Sequence, residues 1–269
     1  MLTQQILRST IEAALAEDAP WGDVTTDNLL GGEVRAAAAL VSRDRGVFCG
    51  GEIVRTAFNT ADEAADVDLL IGDGSSFEGG TTLATVTGSA RGILLAERIA
   101  LNLVQRMSSI ATLTRQYVEA VDGTGARIID TRKTTPRLRV LEKYAVRCGG
   151  GINHRFSLSD AVLVKDNHLA AMSIAGVDLT SGLRDLAVKV PFTTHIEVEV
   201  DSLEQIEPVL QSGVVDSIQL DNFDIESTRE AVEMINKRAI VHASGAMSLE
   251  KVRPVAETGV DLISVGALT

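Results

Sequence analysis

Two hydrophobic periods alternate along the second half of the chain. From about residue 125, short apolar and β-branched runs recur: "ARIIDT" (126–131), "AVLVKD" (161–166), "HIEVEV" (195–200), "SIQLDN" (217–222), "AIVHAS" (239–244) and "LISVGA" (262–267). Runs of this kind predict parallel strands covered by helices. Between them, "SLEQIEPVLQSG" and "SLEKVRPVAETG" carry the helical period. Each opens on a serine suited to capping (Ser202, Ser248) and closes on a glycine (Gly213, Gly259). Six or seven such βα units with short connections favour a closed barrel over an open sheet, although periodicity alone does not separate the two.

The first 120 residues read differently. "VRAAAALVSRDRGVFCGG" (34–51) and "DLLIGDGSSFEGGTTLATVTGSA" (68–90) predict antiparallel strands joined by glycine turns, with a helix around "EIVRTAF" between them. "GILLAERIALNLVQRMSSIATLTRQYVEAV" (92–121) predicts one long apolar-periodic helix, or two. The opening "MLTQQILRSTIEAALAEDAP" has the pattern of an amphipathic helix rather than the charged start and apolar run of a secretion signal. The expectation is two domains: a smaller α+β unit over residues 1–115 and a βα barrel over 116–269.

Composition narrows the function. No window approaches the length of apolar sequence needed to span a bilayer, which argues against a membrane protein. The two cysteines, Cys49 and Cys148, lie far apart and are expected as reduced thiols in a cytoplasmic protein, Cys148 as a packing residue. A formal charge of −12 argues against nucleic acid as a partner. The charge is uneven, however. From Arg132 to Lys165 there are eight basic residues, opposed by Glu142 and Asp160 alone, so this stretch carries +6 and the remainder −18. A cationic island in an anionic protein suits a small polyanion. A solvated helix face accounts for Arg137, Arg139, Lys143 and Arg147 better than for the cations bordering glycines and strand ends.

In a βα barrel, ligands meet the carboxyl ends of the strands. Those ends are polar here: Asp130–Thr131–Arg132–Lys133, Lys165–Asp166–Asn167–His168, Glu197 and Glu199, Asp221–Asn222, Ser244–Gly245–Ala246 and Ser264–Val265–Gly266. Arginine and lysine suit carboxylates and phosphates, the carboxylates suit Mg²⁺, and the last two segments suit a phosphate cradle. Glu197 and Glu199, two apart on a strand, share a face. His168 is expected to cap locally, His195 to lie at the surface and Tyr144 to pack. In "RCGGGINHR" (147–155), three glycines precede Asn153, His154 and Arg155, as expected of a tight turn that carries the last two to a ligand.

Taken in order, "DTRKTTP" (130–136), "LEKYAVRCGGGINHR" (141–155), "AVLVKDNH" (161–168), "EVEVDSLEQ" (197–205), "LDNF" (220–223) and "ETGVDLISVGALT" (257–269) resemble the quinolinate phosphoribosyltransferases. The likeness extends back through "ERIALNLVQRMSSIAT" (97–112) to "EDAPWGDVTT" (17–26). It implies an incomplete parallel α/β barrel beside a smaller N-terminal α+β sandwich domain, of the type II phosphoribosyltransferase kind, working as a homodimer or larger oligomer. The implied reaction joins quinolinate to 5-phosphoribosyl 1-pyrophosphate with Mg²⁺, releasing pyrophosphate and CO₂ and yielding nicotinate mononucleotide for NAD biosynthesis.

By the same resemblance, Arg132, His154, Arg155 and Lys165 would hold the two carboxylates of quinolinate, with Thr131 beside them, and Lys133 would touch both substrates. Glu199 and Asp221 would face the ribose and the metal. Ser244, Gly245 and Ala246 would cradle phosphate together with Ser264, Val265 and Gly266. Arg98 would reach into the neighbouring subunit's site. The chain departs from the family at His242, where Glu is usual, and relatives continue past "GALT". Two other readings are a related phosphoribosyltransferase acting on another pyridine or aromatic acid, and a metabolite-binding barrel without catalysis.

Overall fold

A computed structural model describes residues 2–269. The chain divides into two compact units. One comprises the chain through Arg115 together with Thr135–Gly150, the other Gln116–Thr134 and Gly151–Thr269.

The first unit opens with helices α1 (Gln4–Asp18) and α2 (Val24–Leu29). Thr3 caps α1 by accepting the Ile6 amide, and Asp23 caps α2 by accepting those of Thr25 and Thr26. There follow β1 (Arg35–Val41), β2 (Gly46–Val47), α3 (Gly51–Ala61), β3 (Asp66–Leu69), β4 (Ser76–Phe77), β5 (Thr82–Ser89) and one continuous helix, α4 (Ala90–Ala120). An antiparallel sheet runs in the order β1-β5-β3, and β2 pairs with β4. Leu7 and Ile11 of α1 are buried, as are Phe48 and the α3 residues Ile53, Val54 and Ala57.

The second unit supplies β6 (Arg127–Ile129). Helix α5 (Arg139–Cys148) then returns to the first unit. Back in the second unit are β7 (Val162–Val164), α6 (Asp166–Ile174), α7 (Leu179–Lys189), β8 (Ile196–Val200), α8 (Ile206–Gln211), β9 (Ser217–Asp221), α9 (Ile225–Ile235), β10 (Ile240–Ser244), α10 (Leu249–Ala256) and β11 (Leu262–Ser264). The six strands form a parallel sheet in the order β6-β11-β10-β9-β8-β7. Its two end strands, β6 and β7, do not pair. Instead Ile152 makes a single parallel bridge to Ile129 on the open side. The closed barrel favoured by periodicity is therefore an incomplete one. Ser202 and Ser248 occupy the N-cap positions without making the expected side-chain bond, whereas Gly213 (φ +70°) and Gly259 (φ +96°) adopt the left-handed backbone of helix ends.

Residues 135–150, expected with the barrel, group with the first compact unit. The reason lies in α5, which buries Leu141, Glu142, Lys143, Ala145 and Val146. The Glu142 carboxylate is fully buried. Its Oε1 accepts from Arg106 Nε (3.0 Å) and Nη2 (2.8 Å), and its Oε2 from the Thr135 amide (3.0 Å). Tyr144 does not merely pack, for its hydroxyl donates to Asp73 Oδ2 at 2.8 Å. Lys143, expected on a solvated face, is wholly buried, while Arg137 and Arg147 are exposed as expected.

The glycine run also differs from a simple tight turn. Gly150 takes a positive φ (+96°), but Gly149 is dictated by space, because a Cβ there would lie 2.4 Å from the Ala111 carbonyl oxygen and 2.5 Å from Thr114 Cβ. Gly149→Ala should therefore cost about 1–3 kcal/mol of unfolding free energy in a denaturant titration, the usual cost of overpacking. Gly32→Ala, where a Cβ meets nothing within 4 Å, should stay within about 0.5 kcal/mol of the parent. Equal stability of the two variants would contradict this account of Gly149.

Candidate active site

Alternation along the parallel strands sends every second side chain inward. On β8 these are Glu197 and Glu199, on β9 Ser217, Gln219 and Asp221, on β10 His242 and Ser244. The intervening Val198, Ile218, Leu220, Val241 and Ala243 are buried apolar residues. Register sets these inward groups side by side: Glu197 opposite Ser217, Glu199 opposite Gln219, Gln219 opposite His242, and Asp221 opposite Ser244. The inner face is thus polar, and it ends in a cavity of about 640 Å³.

Of the residues singled out from sequence, Thr131, Arg132, Lys133, His154, Arg155, Lys165, Glu199, Asp221, Ser244, Gly245, Ala246, Ser264 and Gly266 line this cavity. Val265 does not. It is fully buried and its amide is spent on the Ile129 carbonyl (3.0 Å), so it has no N–H to offer a phosphate. Arg98 lies exposed on α4 in the first unit and is not among the residues that line this cavity. His168 caps α6, its Nδ1 accepting the Lys165 amide at 2.9 Å, and His195 meets Ser217 Oγ at 2.8 Å.

Asp130 fixes the loop that carries the cations. Its carboxylate, fully buried at the end of β6, accepts Asn153 Nδ2 at 2.6 Å and the His154 amide at 2.9 Å. Arg155 is anchored by one Nη1 bond to the Ala161 carbonyl (2.7 Å), while its buried Nε has no protein partner. Burial and then the neighbouring Arg132 guanidinium push the Arg155 pKa downward. Two guanidiniums crowded at one rim are an arrangement that a bound anion would relieve.

On the opposite side runs a chain of hydrogen bonds. Lys165 Nζ donates to Glu199 Oε2 at 2.5 Å, and Gln219 Nε2 donates to the same oxygen at 2.6 Å and to Ser244 Oγ at 3.0 Å. Ser244 Oγ in turn donates to Asp221 Oδ1 at 2.7 Å, and Asn222 Nδ2 to Asp221 Oδ2 at 2.8 Å. Gly245 allows this approach, since a Cβ there would meet Asn222 Oδ1 at 2.8 Å and its φ is +140°. Sequence reasoning passed over Gln219. Its signal was a polar residue every second position within an otherwise apolar strand.

His154 and His242, which both line the cavity, meet on one buried carboxylate. Glu197 Oε2 lies 2.6 Å from His154 Nε2, and Glu197 Oε1 lies 2.7 Å from His242 Nδ1. Burial alone pushes the Glu197 carboxyl up, but bonds from the two imidazoles overcome that and hold it well below the usual carboxylate range. The ionised carboxylate fixes both rings as donors toward it. A second carboxylate at 242 would instead face Glu197 with like charge. Below about pH 4.3 the unfolded chain takes up a proton that folded Glu197 refuses, so this part of the stability is present above that pH and lost as pH falls. The denaturant midpoint of the parent should accordingly drop more steeply on acidification than that of Glu197→Gln. Parallel pH profiles would contradict the assignment.

The profile of quinolinate phosphoribosyl transferase, N-terminal domain, matches residues 23–108, and that of the C-terminal domain matches residues 110–269. The nicotinate-nucleotide pyrophosphorylase [carboxylating] of Mycobacterium leprae is 44% identical, the alignment covering 97% of this chain and 92% of that one. A probable nicotinate-nucleotide pyrophosphorylase [carboxylating] of Synechocystis sp. is 40% identical over 97% of this chain and 88% of its own. Among solved structures, NadC from Streptococcus pyogenes superimposes with a TM-score of 0.94 at 36% identity, covering 100% of this chain and 93% of that one. Two matched domains and an inward-facing polar cavity lead to one conclusion: this chain belongs to the quinolinate phosphoribosyltransferase family.

Proposed function

We propose that the chain transfers the phosphoribosyl group of 5-phosphoribosyl 1-pyrophosphate to quinolinate with decarboxylation, forming nicotinate mononucleotide, pyrophosphate and CO₂. One observation carries the reading. Arg132, His154, Arg155 and Lys165, drawn from separate segments, line the same cavity as Glu199 and Asp221. Its volume falls within the range of small-molecule sites.

The chemistry assigns a task to each side. Arg132 and Arg155 present planar forks suited to the two carboxylates of a pyridine diacid, and Lys165 adds a point charge. Glu197 holds His154 in a single orientation toward them. As pyrophosphate leaves C1 of the ribose, positive charge grows on the sugar, and the carboxylates of Glu199 and Asp221 lower its energy. Ribosylation of the pyridine nitrogen makes the ring an electron sink, so the adjacent carboxylate can depart as CO₂. Ser244, Gly245, Ala246, Ser264 and Gly266, with Lys133 beside Gly266, are the groups for phosphate. The protein's main contribution is to bring two reactants together, worth roughly 7–11 kcal/mol.

Glu199, Asp221 and the Ser244 hydroxyl are an all-oxygen donor set, which fits a hard ion such as Mg²⁺. Held there, Mg²⁺ would supply charge neutralisation for the departing pyrophosphate.

A homodimer or larger assembly in which Arg98 serves the neighbouring site is part of the same reading. Supporting it, the first unit exposes Trp21, Val24, Leu29 and Val41, large apolar side chains of the kind that associating surfaces carry. The two free cysteines suit a reducing compartment such as the cytoplasm, and no helix among the described residues is long and apolar enough to cross a membrane.

The test is an assay of the purified chain with quinolinate, 5-phosphoribosyl 1-pyrophosphate and Mg²⁺, following CO₂ and nucleotide. Turnover with nicotinic acid alone would overturn the substrate assignment, and binding without turnover would overturn the enzymatic one. Arg132→Lys and Arg155→Lys each remove a fork while keeping the charge. The loss of a charge-assisted bond, about 1.5–3 kcal/mol, should lower kcat/KM for quinolinate roughly 10- to 150-fold with the ribosyl donor's KM little changed. Unaltered quinolinate kinetics in both variants would refute those roles. For the shared site, inactive Arg98→Ala and Lys133→Ala proteins should regain partial activity when mixed. Confirmed mixed dimers that stay inactive would argue against it.

A further inference from the structure

The chain has two cysteines, 99 positions apart, and the fold of the first unit brings both to one place. Their sulfurs and a carboxylate oxygen of Asp73 all lie within 4.8 Å of one another. Nothing in the transfer reaction uses this cluster. Cys49, between β2 and α3, is fully buried. Its backbone is held from both sides by Ser108, whose Oγ accepts the Cys49 amide (3.1 Å) and donates to the Cys49 carbonyl (3.2 Å). Cys148, the last residue of α5, is half-buried.

The surroundings discriminate between a metal site and thiol chemistry. A metal would need the Asp73 carboxylate as a ligand, but both its oxygens are already engaged. Oδ1 accepts the amides of Gly50 and Gly51, each at 2.9 Å, and Oδ2 accepts the Tyr144 hydroxyl at 2.8 Å. Asp73 is thus a structural clamp that joins the start of α3 to α5, and the two sulfurs are left to each other. They differ in character. A hydrogen bond from the Cys49 thiol, aided by the Arg147 charge, draws the Cys148 pKa down against burial and the Asp73 charge. The same bond, with burial, pushes that of Cys49 far up. A half-buried cysteine beside a fully buried one, with the two sulfurs within 4.8 Å, is the arrangement of an attacking and a resolving cysteine.

We propose that Cys148 and Cys49 form an oxidation site, closing to an intramolecular disulfide when the protein meets a hydroperoxide. The Cys148 thiolate attacks a peroxide oxygen, the O–O bond breaks, and Cys148 becomes a sulfenic acid while the leaving oxygen departs as water after protonation. Cys49 sulfur then attacks Cys148 sulfur, the S–O bond breaks, and hydroxide leaves as water with the proton given up by Cys49. Two thiols are oxidised by two electrons and one peroxide is reduced to two waters. A dithiol reductant reverses the closure by exchange. Closure joins two sulfurs that already lie within 4.8 Å of each other, while Ser108 and Asp73 hold the backbone of Cys49, Gly50 and Gly51.

The experiment treats the reduced, full-length protein with hydrogen peroxide and counts thiols under denaturing conditions. The expected result is a fall from two titratable thiols to none, the loss of two hydrogen atoms in intact mass, a Cys49–Cys148 cross-linked peptide, and full recovery with dithiothreitol. In Cys49→Ser, Cys148 should stop at the sulfenic acid and be trapped by a 1,3-dione reagent. In Cys148→Ser, and in Cys148→Ala as a second check, Cys49 should stay reduced at the same dose. Two thiols still titrating after peroxide, disulfide-linked dimers in place of the internal cross-link, or oxidation of Cys49 without Cys148 would each overturn the proposal. Thermal melting of each reduced variant verifies that the chains compared are folded.

Discussion

A carboxylate at the bottom of a barrel has to be met by donors, and the second unit is organised around that requirement. Glu197 is almost wholly withdrawn from water. Leaving such a charge unpaired would cost several kcal/mol, so two imidazoles from different segments close on it. The consequence reaches the cavity. One of those rings is His154, whose orientation follows from the bond it gives to Glu197. The histidine at 242 supplies the other donor. A neutral or positive partner at that position keeps the buried carboxylate ionised.

Asp130 applies the same logic to the backbone. Its buried carboxylate holds the Asn153 side chain and the His154 amide, so the loop that follows the glycines is pinned by charge-assisted bonds rather than by its own stiffness. The glycines have separate tasks: Gly149 fits where no Cβ can, and Gly150 turns the chain. Further round the rim, Lys165, Glu199, Gln219, Ser244 and Asp221 form one continuous chain of bonds. Each functional group in it is positioned by the next, which makes the cavity a preformed arrangement of opposed charges.

The first unit shows how a charge-rich helix is taken inside. The period of α5 makes it look like a surface helix with a basic face, yet Glu142 and Lys143 are both buried. Arg106 and the Thr135 amide satisfy Glu142, and Tyr144 reaches Asp73. A helix with these commitments cannot stay with the strands that flank it in sequence, and the chain therefore leaves the barrel between β6 and β7. The barrel's missing pairing lies between those same two strands.

Local sequence determined the strand and helix alternation, the polar strand ends and the motifs that mark the family, because side-chain period and turn chemistry act over a few residues. It also marked Arg132, Lys133, Lys165, Glu199, Asp221 and Ser244, which line the cavity because the carboxyl ends of parallel strands open on the same mouth, while His154 and Arg155 were marked by the glycine loop that precedes them. Tertiary structure alone decided that Val265 is spent on Ile129, that Gln219 and His242 join the site, that α5 belongs to the first unit, and that Cys49 meets Cys148. Each of these depends on a partner far away in the chain. Whether an amide is free, a carboxylate ionised or a thiol paired is settled by what is packed against it, and no local pattern encodes that.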